Sequence, residues 1–548
     1  MLSSDISSEH DKEILSNKND VVPQVFLKSF DDTTYLIDVQ SGNYLSNQSI
    51  FQGSQTVGDA PYFWYDAKFL IPGVTLVTYS VACAQNVSPY TCAPKANNAC
   101  LVDSCIVQIN GVTVNNQTSG ISTFVHFKHM IEFGAETMLQ KGVNLGFIPD
   151  TAESRQISTT ATYNYGNFDS NITTTPAIAF SNAALTQIFP QNAGLLTRQL
   201  KISSFVNGTT TLTNAQNNAL MRNYYVNTTT TTVGTYFWMA EVRLRDICPF
   251  FKVLDFPIKN LQPTITLNLN QGSTIATQGN VAVATNIATL PVLSVGSLSQ
   301  STMPWMLTSV GAGAMAKTAT CTVSLGVGNT NVTGVAAFYP SIRLVVPKCV
   351  VKDEQYQMLF TGTKELNYRD VIRYTLLNQV AGNINWNITQ GLNRIKRIII
   401  VPFLSLGAAI SSVYPSASLF DAAPCMTAGN IGYSNIILTI GGAPLYMQNE
   451  QYDYTQFNHV TMQTLDGGLS DNIGTGLISR SDWEKAYHYL VFDCSRLSSV
   501  SLSSGQLNLQ VTLTLPTATI TSVDLHAFIE YERTTVLDCN AGIISSIV

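Results

Sequence analysis

The sequence predicts an all-β protein of two tandem sandwiches joined by long loops and a few short helices. Three observations lead there. Charged residues make up 12% of the chain, about half the ~25% usual in globular domains. The apolar fraction is an ordinary 45%, so Thr, Ser, Asn and Gly stand where charge is usual. Thr suits strands and Asn suits turns, and neither is preferred inside helices. Strands with two-residue alternation recur from end to end, as in Cys321, Val323, Leu325 and Val327, or in Leu507, Leu509, Val511, Leu513 and Leu515 before Pro516. Finally, Ser341–Glu354 and Leu525–Asp538 are both alternating strands that run into a charged stretch. If each closes a sandwich, the boundary falls near residues 355–365, where the polar GTKELNYRDV begins. A chain of 548 residues exceeds one ordinary core, as two sandwiches require.

Taken in order, the chain opens with an arm, residues 1–29, expected to be extended. Residues 1–22 show no apolar periodicity, and Lys12 and Lys18 stand against Asp5, Glu9, Asp11, Glu13 and Asp20, a balance of 2 − 5 = −3. That balance argues against a nucleic-acid-binding arm, which needs clustered Lys or Arg. The arm also lacks the apolar core of a secretory signal. The first sandwich is expected over 30–358 and the second over 359–548.

Cys83, Cys92, Cys100 and Cys105 cluster within the first sandwich at spacings that match no common zinc motif. Free thiols, disulfides and a metal all remain open for them. Asn110-Gly111 and Asn207-Gly208 supply the positive φ of tight hairpins, as does Gly441-Gly442 further on. Phe127–Leu139 reads as an amphipathic helix stopped by Gly142, with Phe127, Met130, Ile131, Ala135, Met138 and Leu139 on its core face. Its polar side, with His126, His129, Glu132 and Glu136, reads as solvated. Asn214–Tyr225 is a weaker helix.

Phe237–Asn270 is a strand, an aromatic corner and a second strand. The corner holds Pro249, Phe250, Phe251, Phe256, Pro257 and Pro263, and its three phenylalanines are expected to be buried where a sandwich turns between its sheets. Ile398–Ile410 is the longest apolar run; Pro402, Ser405 and Gly407 interrupt it, so it reads as a buried strand rather than a membrane span. Ser481-Asp482-Trp483-Glu484 reads as a capping box opening a short helix before YLVFDCS.

The corner with its Asp-Phe-Pro-Ile segment, the series DWEKAYHYLVFDCSRL then LNLQVTLTL, and the C-terminal AFIEYERTTVLDCNAGIISSIV resemble the double jelly-roll major capsid proteins. The likeness is greatest to those of polinton-like viruses and virophages. It implies that both sandwiches are eight-stranded jelly rolls. It also implies a homotrimer approximating a hexagon, and tiling of such trimers, with penton and minor capsid proteins, into an icosahedral shell around double-stranded DNA. The expected location is therefore the virion. Direct nucleic-acid binding and membrane spanning are not expected. The final strand should end in a short Gly-containing tail.

Enzymatic chemistry finds little support. The histidines are His10, His126, His129, His459, His488 and His526, and H-E-x-x-H is absent. Arg369-Asp370 and Asp482 have no nucleophile or His at recognisable spacing. Neither G-x-S-x-G nor a Walker-type loop occurs, and Val310–Ala314 lacks the Lys that phosphate binding needs. No catalytic, cofactor-binding or metal residue is assigned, no cofactor is expected, and the chain is expected not to be an enzyme. Two other classes remain: a trimeric β-sandwich adhesin or receptor-binding fibre protein, which should show a stalk or fibrous repeat, and a glycan-active jelly roll with paired carboxylates.

Overall fold

The computed structural model describes residues 27–38, 48–52, 61–79, 90–94, 97–116, 120–147, 157–158, 163–164, 225–226, 233–269, 272–277, 292–295, 305–309, 318–325, 342–351, 362–380, 382–404, 433–445, 452–466, 476–485, 487–495, 507–515 and 523–547. Eight strands make the first sandwich: β1 (Leu27–Asp38), β2 (Gln48–Gln52), β3 (Lys68–Tyr79), β4 (Val102–Ile109), β5 (Val112–Asn116), β6 (Val233–Arg243), β7 (Pro263–Leu269) and β8 (Arg343–Val351). They pair antiparallel in the order β1-β8-β3-β6 in one sheet and β2-β7-β4-β5 in the other. Strands Thr318–Leu325, Gly272–Thr277 and Val292–Val295 extend the first of these sheets beyond β3.

Eight further strands repeat the plan: β9 (Thr363–Gln379), β10 (Gly382–Leu392), β11 (Ile395–Leu404), β12 (Ser434–Ile440), β13 (Ala443–Pro444), β14 (Leu490–Asp493), β15 (Leu507–Leu515) and β16 (Val523–Asp538). Their sheets run β9-β16-β11-β14 and β10-β15-β12-β13. In each set the first, eighth, third and sixth strands share one sheet, and the second, seventh, fourth and fifth share the other. That order is a jelly roll, two Greek keys folded face to face. The protein is thus all-β, with two tandem jelly rolls. As expected, β8 and β16 are the closing strands, and they lie in different sheets.

Alternation explains the simpler strands. In β7, Pro263, Ile265, Leu267 and Leu269 are buried while Thr264, Thr266 and Asn268 are half-buried. β15 does the same with Leu509, Val511, Leu513 and Leu515. β11 and β16 differ, because Ile398–Val401 and Val523–Glu530 are buried without alternation. Over these stretches their sheet is covered on both faces, since residues on both sides of the pleat are buried. Pro402 falls beyond the stretch that β14 pairs, so its missing N–H breaks no bond with that strand. The Asn110-Gly111 turn has φ of 50° and 78°, as a primed hairpin turn requires. Phe250, Phe251 and Phe256 are buried at the corner, as expected.

Three expectations are corrected. The helix over 127–139 is two helices, α1 (Ile121–Glu132) and α2 (Ala135–Leu145), broken at Phe133-Gly134. The polar side is only partly solvated: His126 and His129 are buried with the apolar residues around them, Glu132 and Glu136 are exposed, and so are Ala135 and Leu139, both expected in the core. The cap at Ser481 moves two residues earlier. The helix spans Arg480–Lys485, and Ser479 exchanges hydrogen bonds with Asp482, whose N–H donates to Ser479 Oγ at 3.1 Å. The C-terminal tail forms a strand, Ile543–Ile547, that folds back on β16. Residues 1–26, Asn207-Gly208, the helix over 214–225 up to its last residue, and Cys83 lie outside the described residues, while Cys105 is a buried free thiol.

Candidate functional site

Among the described residues, several that carry charge into the interior, Asp370, Arg397 and Glu530 among them, lie along the seam where the two jelly rolls join. Helix α1 lies along it. The helix starts at Gly120, whose N–H donates to the carboxylate of Asp103 at 3.1 Å and to its carbonyl at 3.0 Å. Gly120 sits at φ 86°, and a Cβ there would lie 2.0 Å from an Arg373 nitrogen. The left-handed backbone favours glycine, and any side chain there would also have to move the guanidinium. Arg373, on β9, in turn donates to His526 Nδ1 on β16 at 3.1 Å.

Past its first turn, one face of α1 packs in the second sandwich, while Val125 stays in the core of the first, which encodes it. Phe124 lies 5.9 Å from Phe528, and Phe127 meets Tyr489 edge-on at 4.9 Å. His126 packs between the rings of Phe147 and Tyr487. Met130 and Ile131 are buried in the same core, and the Met130 carbonyl accepts the Leu477 N–H at 2.8 Å.

An ionic lattice runs beside these rings. Arg397 and Glu530 are register partners on β11 and β16, and Arg397 Nε donates to Glu530 Oε2. Lys128 of α1 reaches Glu530 at 3.8 Å and Glu132 at 3.3 Å. Lys252, from the corner of the first sandwich, reaches Glu132 at 3.7 Å, and Lys396 pairs with Glu532 at 2.8 Å. Burial opposes ionisation of Glu530, but Arg397 and Lys128 outweigh it and hold the carboxyl at about 2. Glu132 is likewise held at about 2, where Lys128 and Lys252 overcome desolvation. Lys128 itself is pushed down by burial, against the pull of Glu132. On the other flank of α1, His129 lies 3.3 Å from Asp246, which also accepts from Arg243 at 2.8 Å. Burial works against the Asp246 charge, and these two partners drive its carboxyl well below the usual range.

The second sandwich reaches back in the same manner. Tyr368 of β9 donates to the Val114 carbonyl of β5 at 2.7 Å, and its ring stands edge-on to Phe250 at 5.4 Å. Arg533 donates to the carbonyls of Val114 and Thr113, at 3.2 and 3.3 Å, and to Asp370 at 2.9 Å. Desolvation raises the Asp370 pKa despite Arg533. Leu366, Leu537, Cys539 and Ile544 are buried in the core of the first sandwich. Lys364 sits over the Phe256 ring at 4.1 Å, and Asn260 donates to the Asn540 carbonyl at 3.2 Å.

Chemically this arrangement ties charged side chains together along the seam. Its acidic members with resolved low values are fixed as anions. His488 and His526 are pushed down by burial to about 4 and about 3, hence neutral. Burial lifts the Cys105 and Cys349 thiols to about 12, away from the thiolate form. Among the described residues no three His, Cys, Asp or Glu side chains gather where a metal ion could be held, and no helix is long and apolar enough to cross a membrane.

The residues singled out in the sequence scatter accordingly. His126, His129, Glu132, His526 and Asp370 come together along the seam; Glu136 and His459 are exposed on helices; Asp482 serves its own helix cap. His10 and Val310–Ala314 lie outside the described residues. Sequence reading missed Lys128, Arg397 and Glu530. The signal was present as charge at interior positions of apolar strands: Lys396-Arg397 just before a run of isoleucines, and Glu530 and Glu532 within AFIEYER.

No family model matches the chain, and no curated protein matches it. Solved structures do. A chain in the 3.5 Å cryo-EM structure of the Sputnik virophage superposes with a TM-score of 0.51 at 13% identity, over 96% of this chain and 89% of that one. The mavirus major capsid protein gives 0.44 at 10% identity over 96% and 90%. The Faustovirus major capsid protein gives 0.44 at 10% identity over 97% and 94%. The Sputnik chain therefore shares this fold across nearly the whole length of both molecules.

Proposed function

We propose that this chain is the major capsid protein of a small eukaryotic double-stranded DNA virus. In this reading three copies close into a pseudo-hexameric capsomer whose six jelly rolls stand side by side, and capsomers tile an icosahedral shell with penton and minor capsid proteins. The domains are an arm at 1–29, whose last three residues already open β1, a first jelly roll at 30–358 and a second at 359–548. One observation carries the proposal: two complete jelly rolls occur in tandem and lock at a buried seam, the fold shared end to end with the Sputnik virophage chain. Two similar but unequal sandwiches per subunit turn a threefold ring into a near-hexagon. A surface poor in charge supports the same reading, because lateral packing then desolvates few ions.

Light scattering and electron microscopy of the purified chain test it. A compact trimer that forms hexagonal arrays is the expected result. A monomer at micromolar concentration would overturn the proposal, and an elongated trimer with a stalk would favour a fibre or adhesin instead.

A further inference from the structure

We infer that the two jelly rolls form a single cooperative folding unit, because each core is completed by an element encoded in the other. The exchange is reciprocal. Phe124, Phe127, Met130 and Ile131 of α1 leave the first sandwich and join the second core, where Phe127 packs against Tyr489 and Phe124 against Phe528. In return the start of β9 and the end of β16, with the tail strand, place Leu366, Tyr368, Leu537 and Ile544 in the first core. Removing either sandwich strips its partner of large buried side chains, and cavities of that size are not absorbed by relaxation.

The ionic lattice sharpens the coupling. If the first sandwich opened alone, Lys128 would withdraw from Glu530, leaving that buried carboxylate with Arg397 as its close partner. Separation would likewise strand Asp246 and His129 from the helix–corner contact they share, and would free the Thr113 and Val114 carbonyls that Arg533 and Tyr368 satisfy. Opening one half while keeping the other native therefore leaves buried charge and polar groups under-satisfied in both. The sandwiches differ in this from ordinary tandem domains, whose interfaces are polar and permit independent motion. The inference concerns the subunit itself and does not depend on the capsid reading.

Native-state hydrogen exchange on the intact chain tests it, read at β7 for the first sandwich and at β11 and β14 for the second. Phe127→Ala alters a residue encoded by one half that packs in the other. It is expected to speed the slowest exchange in β7, β11 and β14 by a common factor, about a hundredfold or more. Acceleration at β11 and β14 while β7 keeps its original rate would overturn the inference. If that variant fails to fold, Tyr368→Phe removes one hydrogen bond across the seam. A common acceleration of about fivefold in both sandwiches is then expected, and an effect confined to β9 overturns the idea. Each measurement is repeated on dilution. A common factor at every concentration supports coupling through the seam, whereas loss of the coupling on dilution assigns it to contacts between copies and overturns the inference.

Discussion

Phe251 shows what one side chain does in this fold. It is fully buried at the corner, 5.7 Å from Trp64 and 5.5 Å from Phe250. Phe251→Ala removes that packing where neighbouring strands cannot collapse, and a loss of about 3–5 kcal/mol is expected in a denaturant melt. A change below about 1 kcal/mol would show that the corner relaxes around the gap. Glu530 tests charge in the same way: Glu530→Gln leaves Arg397 and Lys128 without their buried anion, and a loss of roughly 3–5 kcal/mol is expected. Buried titrating groups also set a pH dependence. His488 and His526 have native pKa values of about 4 and about 3, below the 6.5 of the free imidazole. The unfolded chain takes up protons first, so their contribution is complete above pH 6.5 and falls as pH drops toward those values. At about 1.4 kcal/mol per unit, each removes roughly 2 kcal/mol between pH 6.5 and pH 5. Glu132 and Glu530 extend the loss only from about pH 4.5 downward, because their native values are about 2. Asp103 and Asp370, raised by burial, oppose it in the acid range. Urea melts at pH 7 and pH 5 should therefore differ, and His526→Gln should shrink the difference.

At the scale of elements, α1 is the informative one. Its sequence is amphipathic, yet the helix is enclosed because a second sandwich covers the side that would otherwise face water. His126 and His129 become buried seam residues, and Lys128 and Glu132 pair there while keeping some exposure. Its start depends on Gly120: with φ at 86° and Arg373 in the way, Gly120→Ala must displace the guanidinium or shift the helix. The expected outcome is a loss of about 1–3 kcal/mol, read by thermal melt, with partial recovery when Arg373→Ala is added. The short helix at Arg480–Lys485 offers a milder case. Ser479→Ala deletes one half of its reciprocal cap with Asp482 and should cost about 1 kcal/mol.

The described residues form two sandwiches packed along one seam, in a chain of which 12% is charged. A subunit of 59.6 kDa built this way is expected to close into a trimer of roughly 179 kDa, with interfaces of several thousand Å² in total, as obligate assemblies have. Multi-angle light scattering gives the mass directly. A trimer that persists in high salt would fit interfaces held by packing rather than by ion pairs, since salt screens exposed charge and leaves apolar burial intact.

Alternation in β7 and β15, the Asn110-Gly111 and Gly441-Gly442 turns, the aromatic corner and the two closing strands were all legible in the sequence. Each depends on neighbours a few residues away, where side-chain period and backbone φ act directly. The all-β class and the pair of sandwiches follow from these alone. The environment of His126, His129, Lys128 and Glu132 was not legible, nor were the break at Phe133-Gly134 and the return of the tail onto β16. A helix with one polar face looks the same whether water or another sandwich lies opposite. Only the tertiary fold brings Arg397 and Glu530, 133 positions apart in sequence, against that face and turns a solvated surface into a buried ionic seam.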